Sequence, residues 1–581
     1  MAGRGKNRHP GRIRLIVVAS IVFLSWVGVG FRLFQLQIVQ AADLKQLGMD
    51  QRVRVETLAA ERGTIYDRDG RELAITVEGK TIGADTEHVQ DPEATAHLLA
   101  ITLGLDEQQI LATLQSGRRW VTIARQLDVD RAALADNLEI PGVYSYPEAM
   151  RVYPEGTLAA QVLGFVDPDG NGLEGLEFRY NTQLTGIPGE VRFETDRDGN
   201  IIPQWLYELT PATPGSDLVT TIDRDVQYIA EQECLATLQR SEAARCTAVV
   251  LDPSTGEILA MASVPGFDPN KRSGSTQDDW TNWAVLGAYE PGSTEKLITV
   301  AAALEEKVVA ASTAFQVPDI IEVVDGACEG RTNASGVEIN GCYHDAESHP
   351  TESLTVRDIV TRSSNVGTIK IGELLGIDRL SRYIHAFGLG EKTGADVPGE
   401  SPGNLNLDPT CPTCLASASI GYAVAVTPLQ MVAAYGAVAN DGIWVQPHLV
   451  NELVDGSGIR RPISPETRQV VSSATAATMR ALLRNVIESG EGTGSGAQVN
   501  GYTAAGKTGT ARKFVPDQGE YSNDYVVSFM GMAPATNPRI VVGIIVDSPK
   551  IGESGGRVAA PAFAAIAEDT LHRLGVPPDA P

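Results

Sequence analysis

Glu290-Pro291-Gly292-Ser293-Thr294-Glu295-Lys296 is the stretch on which the reading of this chain turns. Pro291 and Gly292 mark a turn, and Ser293 stands where an apolar helical run to about Glu306 begins. A serine capping a helix is common and needs no function. Lys296 argues for more. It lies one turn into the helix, on the face of Ser293, where the helix dipole favours Asp or Glu over a cation. The same unfavourable field helps keep a lysine neutral, as a general base must be, and a serine needs such a base to become a nucleophile. Alone, Ser-x-x-Lys is weak, because a chain of 581 residues holds such spacings by chance.

Two further elements follow in order. Ser363-Ser364-Asn365 comes after the run Leu354 to Thr361 and in isolation reads as a polar helix start. Lys507-Thr508-Gly509-Thr510 in isolation reads as a turn. Yet a lysine and a threonine can grip a carboxylate, and glycine lets a substrate backbone approach closely. Ser-x-x-Lys, Ser-x-Asn and Lys-Thr-Gly in this order form the set found in penicillin-binding proteins and serine β-lactamases, and the conjunction is specific where each part is not. One rival competes for the same residues. Gly501 to Thr508 matches the phosphate-binding loop pattern, with Ile540 to Asp547 as the strand of a magnesium-binding aspartate. That loop has to open a helix whose N-terminus holds phosphate. Here Gly509 follows at once and Pro516 soon after, so a nucleotide-binding ATPase is rejected. Gly492 to Gly496 follows a helical run rather than a strand and reads as a loop.

The flanks of these motifs set the fold class. Ala248 to Leu251 and Glu257 to Ala262 are apolar runs joined by Asp252-Pro253-Ser254-Thr255-Gly256, a hairpin signal. Tyr525 to Met532 and Ile540 to Val546 read as buried strands, and Asp225 to Leu238, Ser363 to Leu375, Pro428 to Asn440 and Pro561 to Leu574 as helices. An early hairpin, a helical middle and late strands predict an α+β domain whose one sheet is built from both ends. Upstream, residues 44–215 mix short strands and helices with turn signals at Asp67 to Gly70, Asp167 to Gly170 and Gly186 to Gly189, and carry no catalytic cluster. Pro211 to Asp217 reads as a boundary.

At this length the chain needs two or three domains. Its net charge of -26 excludes a general electrostatic hold on nucleic acid. Arg4, Lys6, Arg8, Arg12 and Arg14 precede Leu15 to Phe31, a run without Asp, Glu, Lys or Arg. Residues 15–34 are expected to span the cell membrane once, with 1–14 as a cytoplasmic tail and the rest outside. The alternative is a cleaved signal peptide with Val39-Gln40-Ala41 as its site. Six cysteines outside the cytoplasm read first as disulfides. The neighbour pairs Cys234 with Cys246, Cys328 with Cys342 and Cys411 with Cys414 are the expected bridges. Cys234 lies in a helix and Cys246 opens the next strand, and the second pair brackets a loop rich in Gly and Asn. Cys328, Cys342, His344 and His349 stand as an irregularly spaced zinc alternative, and Cys411-Pro412-Thr413-Cys414 as half a zinc site or a redox motif.

On these residues the chain resembles a class B penicillin-binding protein over nearly its whole length. Arg62 to Ala74 is similar to the first pedestal motif of that family, and Arg151-Val152-Tyr153-Pro154, Gly164-Phe165 and Gly172 to Glu177 to the later ones. Thr221-Ile222-Asp223, Tyr289 to Lys296, Thr427-Pro428-Leu429-Gln430 and Gly506 to Ala511 are similar to its transpeptidase motifs. The resemblance implies a membrane helix, an elongated pedestal over 44–215, and over 216–575 a transpeptidase domain of the penicillin-binding and serine β-lactamase type. Without a glycosyltransferase domain ahead of the pedestal, it points away from the bifunctional class and toward the cell-division branch. It implies a peptidoglycan D,D-transpeptidase that cross-links stem peptides during septal synthesis and is a target of β-lactams. An elongation enzyme or a non-catalytic division scaffold is the alternative.

The implied roles are Ser293 as nucleophile, Lys296 as its base, and Ser363 and Asn365 completing the network, with Ser363 a proton relay. Lys507 and Thr508 steady the network and the substrate carboxylate, with Gly509 and Thr510 beside it. Backbone N–H groups of Ser293 and Thr510 form the oxyanion hole. No metal or cofactor is implied. The implied partners are peptidoglycan stem peptides, β-lactams, the membrane, a glycan polymerase of the SEDS type and other division proteins, and no nucleic acid. Glu295, where relatives often carry an apolar residue, and the cysteine pairs depart from the family pattern.

Overall fold

The computed structural model describes residues 10–195, 201–329, 341–515 and 520–580. Arg4, Lys6 and Arg8, the loop between Cys328 and Cys342 over 330–340, and Pro516 lie outside them. The described chain divides into two units: residues up to 60 with 186–213, and residues 61–185 with those from 214 onward.

In the first unit a helix runs from Pro10 to Phe34 and continues through a wider turn, Gln35–Val39. Gly11–Val39 is long and apolar enough to cross a membrane. At 1.5 Å per residue its 29 residues exceed the roughly 30 Å of hydrocarbon. Its large apolar side chains, among them Leu15, Phe23, Trp26 and Phe31, are exposed on all sides, as suits a helix solvated by lipid. After the helix Ala41–Arg52, the strand Val53–Leu58 pairs antiparallel with Gly189–Thr195, which pairs with Ile201–Thr210. Gly186 takes a left-handed conformation at φ 71°, but residues 187–189 run extended and do not complete the turn expected of 186–189. Ile187 and Thr213 exchange both backbone hydrogen bonds, at 2.9 and 2.8 Å, and Pro188 pushes the residue before it toward extended backbone.

The second unit contains a sheet in which Glu72–Asp85 pairs with Trp120–Leu127 and Val143–Val152. The helices Pro92–Leu103, Glu107–Leu114 and Val129–Asp136 bury Leu99, Leu103, Ile110 and Ala132 with Ile82 and Ala84 of the sheet. The sheet continues through Ile65–Tyr66 to Asp217–Thr220, paired in parallel, and on to Val450–Val454. One buried carboxylate ties three of the motifs quoted above together. Arg62 donates to Glu177 from Nε at 2.7 Å, Arg151 from Nε at 2.7 Å, and the Tyr153 hydroxyl at 3.3 Å.

A five-stranded antiparallel sheet carries the rest: β1 (Arg245–Leu251), β2 (Ile258–Val264), β3 (Ala505–Val515), β4 (Glu520–Ala533) and β5 (Ile540–Asp547). The order is β2-β1-β5-β4-β3, so the early hairpin joins the late strands through Val249 opposite Gly543. Alternate residues of each strand face opposite sides. Val250 and Val542 pack with Val226, Ala230, Phe563 and Ile566 of the helices Arg224–Ser241 and Gly555–Arg573. Val249 and Val541 pack with Met431 and Val432 of the helix Pro428–Ala439.

Two helices differ from expectation. The last begins at Gly555 and holds Pro561 in its interior. Proline forfeits one hydrogen bond there, and the buried run Val558, Ala559, Ala560, Ala562 and Phe563 offsets it. Ser363 to Leu375 is two elements: a helix Val356–Arg362 stops, Ser363 takes the left-handed conformation at φ 61°, and a second helix runs Asn365–Leu375.

Candidate active site

The serine turn is held closely by its neighbours. Gly292–Thr294 forms a single 3-10 turn leading into the helix Lys296–Glu305. Gly292 has φ 53° and donates its N–H to the Gly421 carbonyl at 3.1 Å. A Cβ on Gly421, itself at φ 82°, would sit 2.1 Å from the Gly292 oxygen, so only glycine fits there. The Tyr435 hydroxyl donates to the Thr294 carbonyl at 2.9 Å. Glu290 accepts from the Ala423 N–H at 3.1 Å and the Tyr521 hydroxyl at 3.0 Å. Ser293 is half-buried on this turn.

Lys296 and Lys507 are both about 1% exposed, and both reach Ser363. Lys296 Nζ donates to the Ser363 carbonyl at 2.6 Å and to Asn365 Oδ1 at 2.7 Å, and lies 3.4 Å from Ser363 Oγ. Lys507 Nζ donates to Ser363 Oγ at 2.8 Å. The left-handed backbone at Ser363 turns its carbonyl and hydroxyl toward the lysines, which is why the helix read over Ser363 to Leu375 is broken there. Burial drives the Lys296 pKa down to about 7, against the opposing fields of Asp345 and Glu295. Burial, reinforced by Lys296, holds Lys507 well below the ordinary lysine value. One of these amines is therefore poised between base and acid near neutrality.

Lys507, Thr508, Gly509 and Thr510 lie on β3, the edge strand, not in a turn. The phosphate-loop reading fails for the same reason, since Gly506 to Thr508 open no helix. A Cβ on Gly509 would come 2.3 Å from Ser528 Oγ and 3.0 Å from the Pro291 carbonyl, so glycine lets the strand close against the serine turn. The Thr508 hydroxyl meets that of Thr493 at 2.8 Å, and the Gly555 N–H reaches Thr510 Oγ1 at 3.4 Å. The structure thus brings Ser363, Asn365, Lys296 and Lys507 into one hydrogen-bonded group, with the Ser293 turn and the Thr508 to Thr510 strand against each other beside it.

Glu295 points away from this group into the core. It accepts from the Thr299 hydroxyl at 3.1 Å, and burial raises its pKa well above the ordinary value. The sulfurs are joined as Cys234–Cys246, Cys328–Cys342 and Cys411–Cys414. The middle bridge takes both its sulfurs out of the zinc alternative, and His349 faces Asp345 instead, at 3.0 Å. A cavity of about 710 Å³ is lined by Glu290 together with Trp283, Tyr521 and Cys411. Sequence reading missed Asp345, Thr493, Tyr435 and Tyr521. The one signal available was the run of glycines around Thr493, which marks close backbone packing.

A family model described as the penicillin binding protein transpeptidase domain matches residues 246–568, and one described as the penicillin-binding protein dimerisation domain matches 57–220. Stage V sporulation protein D of Bacillus subtilis is 35% identical, over 98% of this chain and 86% of its own. Peptidoglycan D,D-transpeptidase FtsI of Escherichia coli is 30% identical, over 98% and 93%. The crystal structure of penicillin binding protein 3 from Mycobacterium tuberculosis, complexed with aztreonam, superimposes with a TM-score of 0.70 at 32% identity, over 90% of this chain and 99% of that one.

Proposed function

The chain belongs to the class B penicillin-binding proteins, serine-type D,D-transpeptidases with a single apolar anchor helix, and from that membership we propose that it cross-links peptidoglycan stem peptides through an acyl-enzyme on Ser293 during septal synthesis. Ser293 Oγ attacks the carbonyl carbon of the penultimate D-Ala. Its proton passes to Lys296, and the C–O ester forms as the C–N bond to the last D-Ala breaks. The departing amine takes a proton through Ser363. An acceptor amine on a neighbouring strand then attacks the ester, and Ser293 recovers its proton. Asn365 fixes Lys296, and Lys507 and Thr508 receive the terminal carboxylate of the donor. N–H groups of Ser293 and Thr510 hold the developing oxyanion. β-Lactams acylate the same serine.

The observation that carries this reading is the pairing of a buried lysine, its pKa lowered to about 7, with a serine one helical turn away. Intact-mass analysis after penicillin treatment should show one adduct on the wild type and none on Ser293→Ala. Adduct formation on that variant, or ATP hydrolysis without labelling, contradicts it.

The same reading places the N-terminus in the cytoplasm and the catalytic body outside the inner membrane, beside a glycan polymerase of the SEDS type and other division proteins. The division-like motifs at Arg62 to Ala74 and Gly172 to Glu177 support the septal role by family analogy. Depletion should give filaments or undivided cells. Rounded cells with normal septa would point to elongation instead.

A further inference from the structure

We infer that Asp345 is a positioning residue for acylation, whose carboxylate holds the Ser363 to Asn365 turn in the one conformation that offers Ser363 and Asn365 to the two lysines. The inference rests on the reading of Ser293 as nucleophile and adds a residue outside the three motifs.

The turn needs holding. Ser363 sits at φ 61°, a region that serine enters only at a cost. The helix it precedes begins with orphan N–H groups. Ser364 Oγ accepts from the Gly367 N–H at 2.9 Å, which leaves those of Asn365 and Val366. Asp345 Oδ1 accepts both, the Val366 bond measuring 3.0 Å. Asp345 Oδ2 accepts the Ser364 hydroxyl at 2.8 Å and His349 Nε2 at 3.0 Å. Three consecutive residues, 364 to 366, are therefore tied to one side chain that is 8% exposed. A negative group at this helix N-terminus is also where the dipole favours it.

The neighbouring residue completes the mould. The His344 carbonyl accepts Asn365 Nδ2–H at 3.0 Å, so Asn365 is held by the same segment on one side and by Lys296 on the other. That segment is anchored in turn. Cys342–His344 pairs with Ile320–Glu322, Cys342 is bonded to Cys328, and the Asp345 N–H reaches the Asp319 carbonyl at 3.1 Å. His349 braces the carboxylate. Its Nδ1 faces the Pro350 carbonyl at 2.7 Å and its Nε2 faces Asp345, both acceptors, so the ring fits best with both nitrogens protonated. Burial works against that charge, but the Pro350 carbonyl and Asp345 outweigh it and raise the His349 pKa. Asp345 also opposes the fall that burial imposes on the Lys296 pKa.

The test is the rate of acylation by fluorescent penicillin as a function of pH, on the full-length protein in detergent. Wild type, Asp345→Asn and Asp345→Ala are compared with Ser472→Ala, which removes a helix cap elsewhere. Asp345→Ala frees the turn and should slow acylation about 100-fold, the scale of a misplaced catalytic group. Asp345→Asn keeps an oxygen for the Asn365 and Val366 N–H groups but loses the charge. It should slow the reaction less, and its rate should rise at a lower pH than in the wild type, because the anion that supports the Lys296 proton is gone. Rates and midpoints equal to the wild type overturn the inference. So does a slower rate with an unmoved midpoint matching Ser472→Ala, because that is loss of folded enzyme. If Asp345→Ala does not fold, the midpoint of Asp345→Asn decides. Absence of a wild-type adduct at Ser293 sinks the underlying reading, whereas unchanged variants sink only the role of Asp345.

Discussion

Lys296 and its neighbour Glu295 carry opposite consequences of the same burial. Burial lowers the Lys296 pKa to about 7, so acylation should climb with pH as the amine loses its proton and level off above neutrality. A stopped-flow series with a chromogenic β-lactam from pH 5.5 to 8.5 reads this directly, and a flat profile would remove Lys296 as the base. Lys296→Ala should cost about 10²- to 10⁴-fold, the usual worth of a general base. Glu295 has its folded pKa raised above the unfolded one by burial. Its contribution to stability is complete below the unfolded value, about 4.3, and is lost as pH rises toward the folded value. Glu295→Gln cannot ionise in the unfolded chain, so its urea midpoint should match the wild type near pH 4 and exceed it increasingly toward pH 8. Equal midpoints at both pH values would contradict this. The motif residues were legible because the three motifs occur together in one order, although each alone has an ordinary structural reading. Asp345 was not, because a lone aspartate 20 residues before the helix it caps carries no local pattern.

Among the elements, the contacts at Glu177 join motifs far apart in the sequence. Glu177 is fully buried between Arg62 and Arg151. Glu177→Ala would leave two guanidinium groups without their carboxylate, and breaking such a buried group typically costs about 3–5 kcal/mol. Limited proteolysis should cut the variant between residues 61 and 185 under conditions that spare the wild type, and equal resistance would argue against the estimate. Most strands and helices around the site were legible from apolar periodicity. Three departures had tertiary causes that periodicity does not register. Ser363 is pulled out of helical geometry by two lysines and Asp345, Pro561 is carried inside a helix by its buried neighbours, and Ile187 is straightened by pairing with Thr213. Likewise Lys507 to Thr510 has turn-like composition and is a strand because β4 lies beside it.

For the whole molecule, the apolar helix Gly11–Val39 should decide how the protein behaves in solution. The full chain should require detergent, while removal of residues 1–40 should release a soluble protein that forms the same penicillin adduct. A truncated protein that labels but still pellets with membranes would mean that another surface binds lipid. The long apolar helix was legible because a run of that length without a charge stands out in the sequence. The division of the chain into two units was not, since the strand Val53–Leu58 pairs with residues 189–194, far along the sequence. The order of the catalytic sheet has a consequence in time. β1 pairs with β5, so Val249 must wait for Gly543, nearly three hundred residues later, before its outer edge is covered. Ser293 is synthesised about midway and Lys507 late, so on the proposed mechanism the nascent chain holds its nucleophile for a time without a site. Such distant pairing makes for slow assembly and leaves an open strand edge meanwhile. On the proposed mechanism, a ribosome stalled short of β3 should yield no half-active enzyme, and the chain should become reactive toward penicillin only when its last third has been made.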